Sequence, residues 1–163
     1  MQIRIAGVVN DSIVDGPGIR FTVFFQGCTH HCHNCHNPQT HDLNDGYLID
    51  TDEIINKVKN NPLLDGITLS GGDPLLQIEG VIELSKRCKE LGLNVVCYTG
   101  FTYEELKKFK DFERIIENID YLIDGKYVDN LRDLSLRYRG SSNQRIIDIK
   151  KTLDSGEVIL AEF

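Results

Sequence analysis

The sequence predicts an α/β fold, an open partial (β/α)6-type barrel built on a mostly parallel sheet, in a single domain over residues 1–163. Three observations carry that prediction. Short β-branched and aromatic runs alternate with helix-like runs, the pattern of parallel strands joined by helical crossovers. About six such βα units can be counted, whereas a closed eight-unit barrel takes about 250 residues. The chain has only 163 residues and gives many of them to one cysteine-bearing loop, so closure is not expected. An open side leaves the C-terminal ends of the strands, where parallel sheets carry their chemistry, within reach of something large.

Taken in order, IRFTVFF (19–25) is rich in β-branched and aromatic residues and predicts a strand. TDEIINKVKN (51–60) predicts a helix capped by its first residue, Thr51, with Ile54, Ile55 and Val58 on one face. GITLS (66–70) predicts a short buried strand. LQIEGVIELSKRCKELG (76–92) places Val81, Leu84, Cys88 and Leu91 at helical spacing and stops at Gly92. NVVCYTG (94–100) and IDYLIDG (119–125) predict strands. Between them, TYEELKKFK (102–110) predicts a helix with Thr102 as cap and acidic residues in its first turn. Further strands are expected near 144–148 and 157–161.

A net charge of −7 argues against a nucleic-acid partner or an anionic membrane surface, both of which call for clustered Lys and Arg. No apolar run has the length of a membrane span, and MQIRIAGVVNDS does not read as a signal peptide. A cytoplasmic location, with reduced thiols, is therefore expected. There are five cysteines, and three of them fall within eight residues, a poor fit to a disulfide framework.

Those three, Cys28, Cys32 and Cys35, have the spacing C-x3-C-x2-C in a loop that follows a predicted strand. Thiolates this close can share one metal centre. Zinc would take a fourth ligand from His30, His31, His33, His36 or His41. A four-iron cluster would instead keep one iron without a protein ligand, free to bind a substrate. The loop alone does not choose between them. SGGDP (70–74) lies between a predicted strand and a long helix. Its glycines allow close backbone approach to a ligand, and its Asp73 carboxylate could hold an amino group. An ordinary βα turn uses the same residues.

Together these stretches resemble the radical S-adenosylmethionine enzymes. VDGPGIRFTVFFQGC (14–28), CHNP (35–38) and RYRGSSNQR (137–145) make the chain similar to the glycyl-radical-enzyme activases of that superfamily, from about Val14 to about Arg145. The short length and the last stretch favour the branch directed at anaerobic ribonucleoside-triphosphate reductase. An activase of another glycyl-radical enzyme such as pyruvate formate-lyase is the alternative, with a zinc-stabilised binding module behind it.

The resemblance implies that Cys28, Cys32 and Cys35 ligate a [4Fe-4S] cluster whose open iron binds S-adenosyl-L-methionine. Gly71, Gly72 and Asp73 would hold the methionine amino group, although Asp73 stands where the family more often has Glu. Asn34 replaces a residue that is often aromatic, which leaves the backbone of Asn34, Cys35 and His36 for the adenine. Asp124 and Lys126 resemble a stretch near the methionine and a monovalent cation, and Thr99 is a further candidate of that kind. Asn143 and Arg145 are candidates for the cofactor carboxylate, and the histidines of the cysteine loop are read as exposed. The implied reaction takes one electron from a donor such as a flavodoxin or ferredoxin. It cleaves S-adenosylmethionine and moves a hydrogen atom from a glycine of the partner reductase to a 5′-deoxyadenosyl radical. No side-chain acid, base or nucleophile is expected, because the cofactor carries the chemistry.

Overall fold

Alternation of side chains along each strand organises one seven-stranded sheet in the computed structural model, which describes residues 1–163. The strands are β1 (Gln2–Ser12), β2 (Arg20–Phe25), β3 (Tyr47–Asp50), β4 (Gly66–Gly71), β5 (Asn94–Tyr98), β6 (Tyr121–Asp124) and β7 (Arg145–Asp148). Their order in the sheet is β3-β1-β2-β4-β5-β6-β7. The expected open sheet is present, with β2, β4, β5 and β6 as its parallel centre. The six expected βα units resolve into these four strands flanked by antiparallel ones: β1 pairs with both β2 and β3, and β7 pairs with β6. The chain between β6 and β7 contains only a 3-10 turn at Asp129–Leu131, and a parallel return usually needs an α-helix to cross over the sheet. The strand expected at 157–161 is reduced to a single bridge between Ile147 and Leu160.

The helices are α1 (Thr51–Lys59), α2 (Ile78–Glu90), α3 (Tyr103–Leu106), α4 (Phe112–Ile116) and α5 (Ile149–Ser155). The cap of α1 is Asp50, whose carboxylate accepts from the Asp52 amide, while the Thr51 hydroxyl donates to Glu83 instead. Thr102 caps α3 in a reciprocal box with Glu105, but that helix stops after one turn and resumes as α4. No helix is long and apolar enough to cross a membrane.

The two faces of the parallel strands differ. Phe21, Val23, Phe25, Ile67, Leu69, Val95, Cys97 and Leu122 point to one face and join a core of 26 buried residues beneath α1, α2 and α4. The residues between them form a mixed inner face: Arg20, Thr22, Thr68 and Ser70 are polar, whereas Val96 and Ile123 join Ile146 in a small apolar cluster against which Tyr98 packs. The loop 13–19 tucks beneath this face. Arg20 is fully buried there and donates to Thr68 Oγ1 (2.7 Å), to the carbonyls of Pro17 (2.9 Å), Ile67 (2.8 Å) and Asn94 (3.0 Å), and to Asn94 Oδ1 (2.9 Å). Burial away from water lowers its pKa to about 10. Gly18 has φ +75°, and a Cβ there would come within 2.3 Å of the Asp65 carboxylate, which accepts from the Ile19 amide. These contacts give the DGPGIR stretch a structural role: it pins the N-terminal ends of three strands.

Candidate active site

The cysteine loop leaves the C-terminal end of β2 and is tied shut at its root. The Gly27 amide donates to Thr40 O (2.6 Å), the Cys28 amide to His41 O (3.1 Å), and the buried Gln26 side chain to Gln39 O (3.1 Å) and Asp42 O (2.8 Å). The glycine turn that ends β4 lies directly on this root. A Cβ on Gly71 would meet Phe25 O at 2.3 Å, and one on Gly72 would meet Gly27 O at 2.3 Å. The two glycines are thus demanded first by the chain's own backbone, which no side chain could approach so closely.

A cavity of about 570 Å³ opens at this end of the sheet, a size ordinary for a ligand pocket. Cys28, Cys32 and Cys35 all line it, together with Gly71, Gly72, Thr99, His36 and Lys126. Eight of the residues expected from the sequence therefore converge on one hollow. Burial raises the Cys28 thiol pKa, and the His30 backbone N–H, directed at its sulfur, opposes that shift. Cys32 is raised likewise, and the Tyr127 backbone N–H and the Lys126 charge oppose it. Burial is the larger effect for both, so the N–H groups and the Lys126 charge offset only part of the cost of forming the thiolates a metal needs. The donor set suits a thiolate-bound iron–sulfur cluster: three thiols line the cavity with two imidazoles, of which His30 is engaged by Asp73 and His36 packs against Tyr127.

Other expectations land differently. Asp73 is fully buried and does not line the cavity. Its carboxylate accepts from four groups: His30 Nε2 (2.5 Å), Thr99 Oγ1 (3.1 Å), the Gly100 amide (3.0 Å) and the Leu75 amide (3.0 Å). With its acceptor capacity taken, the ligand-facing part of SGGDP is the backbone of Gly71 and Gly72. His30 is not the exposed loop residue expected, since its side chain is only 7% exposed, whereas His31 and His33 are exposed. Asn34 stands outside the cavity at φ +55°, with its amide on Asp129 (3.1 Å).

Asp124, Asn143 and Arg145 line a second, polar hollow that shares Lys126 with the first. Arg145 does not reach the main cavity. Its Nε and Nη2 donate to the buried Asp124 carboxylate (3.1 and 2.5 Å), and Nη2 also reaches Glu104. These partners raise the Arg145 pKa further. The chain itself therefore supplies the positive charge beside Asp124. Asn143 is spent on Lys126 O (2.8 Å) and on accepting from Ser141.

Asp15, Tyr98 and Arg139 also line the main cavity and were not singled out from the sequence. Asp15 accepts from Ser12 (2.5 Å) and Thr22 (3.2 Å). A signal for it existed, because it lies inside the DGPGIR stretch. Tyr98 donates to Tyr138 O (2.7 Å), a residue held at φ +61°, and nothing in a single strand residue marks such a contact. Cys88 and Cys97, read as small buried hydrophobes, are fully buried in the core, and burial pushes the Cys88 thiol up to about 12.

Comparison with known proteins identifies the family and its relatives. Residues 14–147 match the family described as a 4Fe-4S single cluster domain. The chain is 38% identical to the anaerobic ribonucleoside-triphosphate reductase-activating protein of Escherichia coli over 81% of its length and 90% of that protein. It is 39% identical to the pyruvate formate-lyase-activating enzyme of Clostridium pasteurianum over 78% of its length, but over only 54% of that protein. Among solved structures, QueE from Escherichia coli superposes with a TM-score of 0.50 at 13% identity, covering 63% of this chain and 54% of that one, a likeness of fold.

Proposed function

We infer the function from one premise: the chain belongs to the 4Fe-4S single-cluster family of radical S-adenosylmethionine activases, among the anaerobic ribonucleoside-triphosphate reductase-activating proteins. It is an enzyme of that type, with a [4Fe-4S] cluster and S-adenosylmethionine as cofactors. The finer reading proposed is that it installs a glycyl radical on an anaerobic ribonucleoside-triphosphate reductase, with electrons from a small one-electron donor protein. The observation that carries this reading is the convergence of Cys28, Cys32 and Cys35 with the Gly71–Gly72 backbone and Lys126 on one open cavity.

The bound cofactors supply a one-electron reduction that ends in removal of a hydrogen atom from a glycine Cα of the partner. The residues of this chain hold and orient. Cys28, Cys32 and Cys35 would hold the cluster as thiolates, with its fourth corner left to the methionine end of the cofactor. The carbonyls of Gly71 and Gly72 would accept from the amino group, and Lys126 would serve the carboxylate. The backbone at Cys35 and His36 would take the adenine, and the Tyr127 ring beside it, with its centroid 4.8 Å from that of His36, supports that reading. Positioning of this kind brings the reacting atoms to about 3–3.5 Å. At the mouth, Val9 and Val14 line the cavity, and Ile13 and Val14 are each 71% exposed. An apolar lip suits a protein surface better than a small polar substrate.

Relatives named as activators of the reductase, at 37–38% identity, and one named as activating pyruvate formate-lyase, at 39%, support a glycyl-radical enzyme as partner. The test is anaerobic. Reduced protein, S-adenosylmethionine and each candidate partner are mixed, and the glycyl radical is read by electron spin resonance. A signal with the reductase and none with the formate-lyase is expected; the reverse result assigns the chain to the other branch.

A further inference from the structure

Five features meet at His30. Its ring Nε2 lies 2.5 Å from Asp73 Oδ2. The other groups on that carboxylate are all donors, and a carboxylate offers only acceptors, so Nε2 carries the proton. The ring packs edge-on against Phe101, with centroids 4.7 Å apart. Its seat exists because residue 100 is glycine: a Cβ there would lie 2.5 Å from the imidazole. Lastly, the His30 backbone N–H is directed at the Cys28 sulfur. One residue thus touches a cluster cysteine with its main chain and the glycine turn with its side chain, from a loop whose neighbouring His31 and His33 are exposed.

We propose that His30 is a positioning residue that clamps the cysteine loop to the glycine turn, fixing the Cys28 sulfur relative to the Gly71–Gly72 backbone. The clamp explains why Asp73 is buried rather than turned to the cavity: it is the anchor in the turn, and Thr99 and the Gly100 amide hold it still. The proposal rests on the cofactor reading for its consequences and on the polypeptide alone for its geometry. Groups that orient ligands from behind are worth about 10–100-fold in affinity or activity. Hydrogen bonds to cluster sulfurs set reduction potential, and losing one disfavours the more negatively charged reduced state.

The experiment compares His30→Phe, which keeps a ring against Phe101 but has no donor, with His30→Gln, whose amide can still donate to Asp73. In cluster-loaded protein, equilibrium binding of S-adenosylmethionine is expected to weaken about tenfold in His30→Phe and to stay within about threefold of the parent in His30→Gln. The cluster's midpoint potential is expected to fall in His30→Phe and to recover in His30→Gln. In metal-free protein, backbone hydrogen exchange over residues 28–32 and 99–101 is expected to accelerate in His30→Phe only. Parent-like affinity and potential in His30→Phe would overturn the clamp, and so would equal damage in both variants, which marks simple packing. If His30→Phe takes up no cluster, the exchange measurement decides: unchanged protection in both segments overturns the proposal. That arm contains no cofactor, so its failure is distinct from a failure of the cofactor reading, which the parent protein's binding of S-adenosylmethionine tests by itself.

Discussion

The two faces of the parallel strands use the same backbone for opposite ends. On the outer face most alternate positions carry aliphatic or aromatic side chains packed under helices. On the inner face the intervening positions carry Arg20, Thr22, Thr68, Ser70 and Tyr98, and the cavity opens among them. Parallel strands buried on both sides usually read as continuous apolar runs. Here the polar inner positions of β2 and β4 mark the part of a partial barrel whose interior opens into a cavity, while Val96 and Ile123 keep the inner face of β5 and β6 apolar. Stability is concentrated on one face and ligand handling on the other, so substitutions on the two should have separable effects.

The sharpest test lies at the rim. Cys32→Ala should abolish S-adenosylmethionine cleavage, while metal-free unfolding by urea shifts by less than about 0.5 kcal/mol, since Cys32 is only half-buried. Parent-rate cleavage would break both the site assignment and the separation of faces. On the outer face, Leu69→Ala, at a fully buried position, should cost about 2–5 kcal/mol in urea unfolding and leave activity per folded molecule unchanged. At the lip, Val14→Asp should reduce glycyl-radical yield about tenfold with no change in stability or in partner-free cleavage of S-adenosylmethionine. A matching loss of partner-free cleavage would place Val14 in the cofactor chamber instead. The smallest effect concerns Cys88. Unfolded, its thiol ionises near 9.0, whereas the folded core holds the proton to about 12. Below pH 9 both states are protonated and the thiol contributes nothing to pH dependence; above it the folded state is progressively disfavoured. Cys88→Ala should therefore flatten the alkaline decline in unfolding free energy by up to about 1.4 kcal/mol per pH unit.

What could be read in advance followed local chemistry. The C-x3-C-x2-C spacing, the strand before it and the glycine turn were legible because each is a short, chemically marked run. The helices from Thr51 and Ile78 were legible from their apolar spacing. The antiparallel flanks were not, because pairing direction depends on the length and content of distant connections, such as the chain between β6 and β7. The cap of α1 moved by one residue because Thr51 found a tertiary partner in Glu83. Asp73 and Arg145 were assigned to the ligand from their type, yet each is engaged by groups far off in sequence: His30, 43 residues before Asp73, and Asp124, 21 before Arg145. A charged side chain's orientation is a tertiary fact that a motif does not encode.

Arg20 has a consequence for how this sheet tolerates its surroundings. All five of its acceptors are uncharged oxygens of peptide groups, a threonine and an asparagine amide. Dissolved ions weaken attraction between opposite charges, and at this joint there is no opposite charge in contact to be weakened. The strand bases should therefore stay fastened in concentrated brine, where the exposed Asp52–Arg87 and Glu79–Arg114 pairs on the helical side let go first.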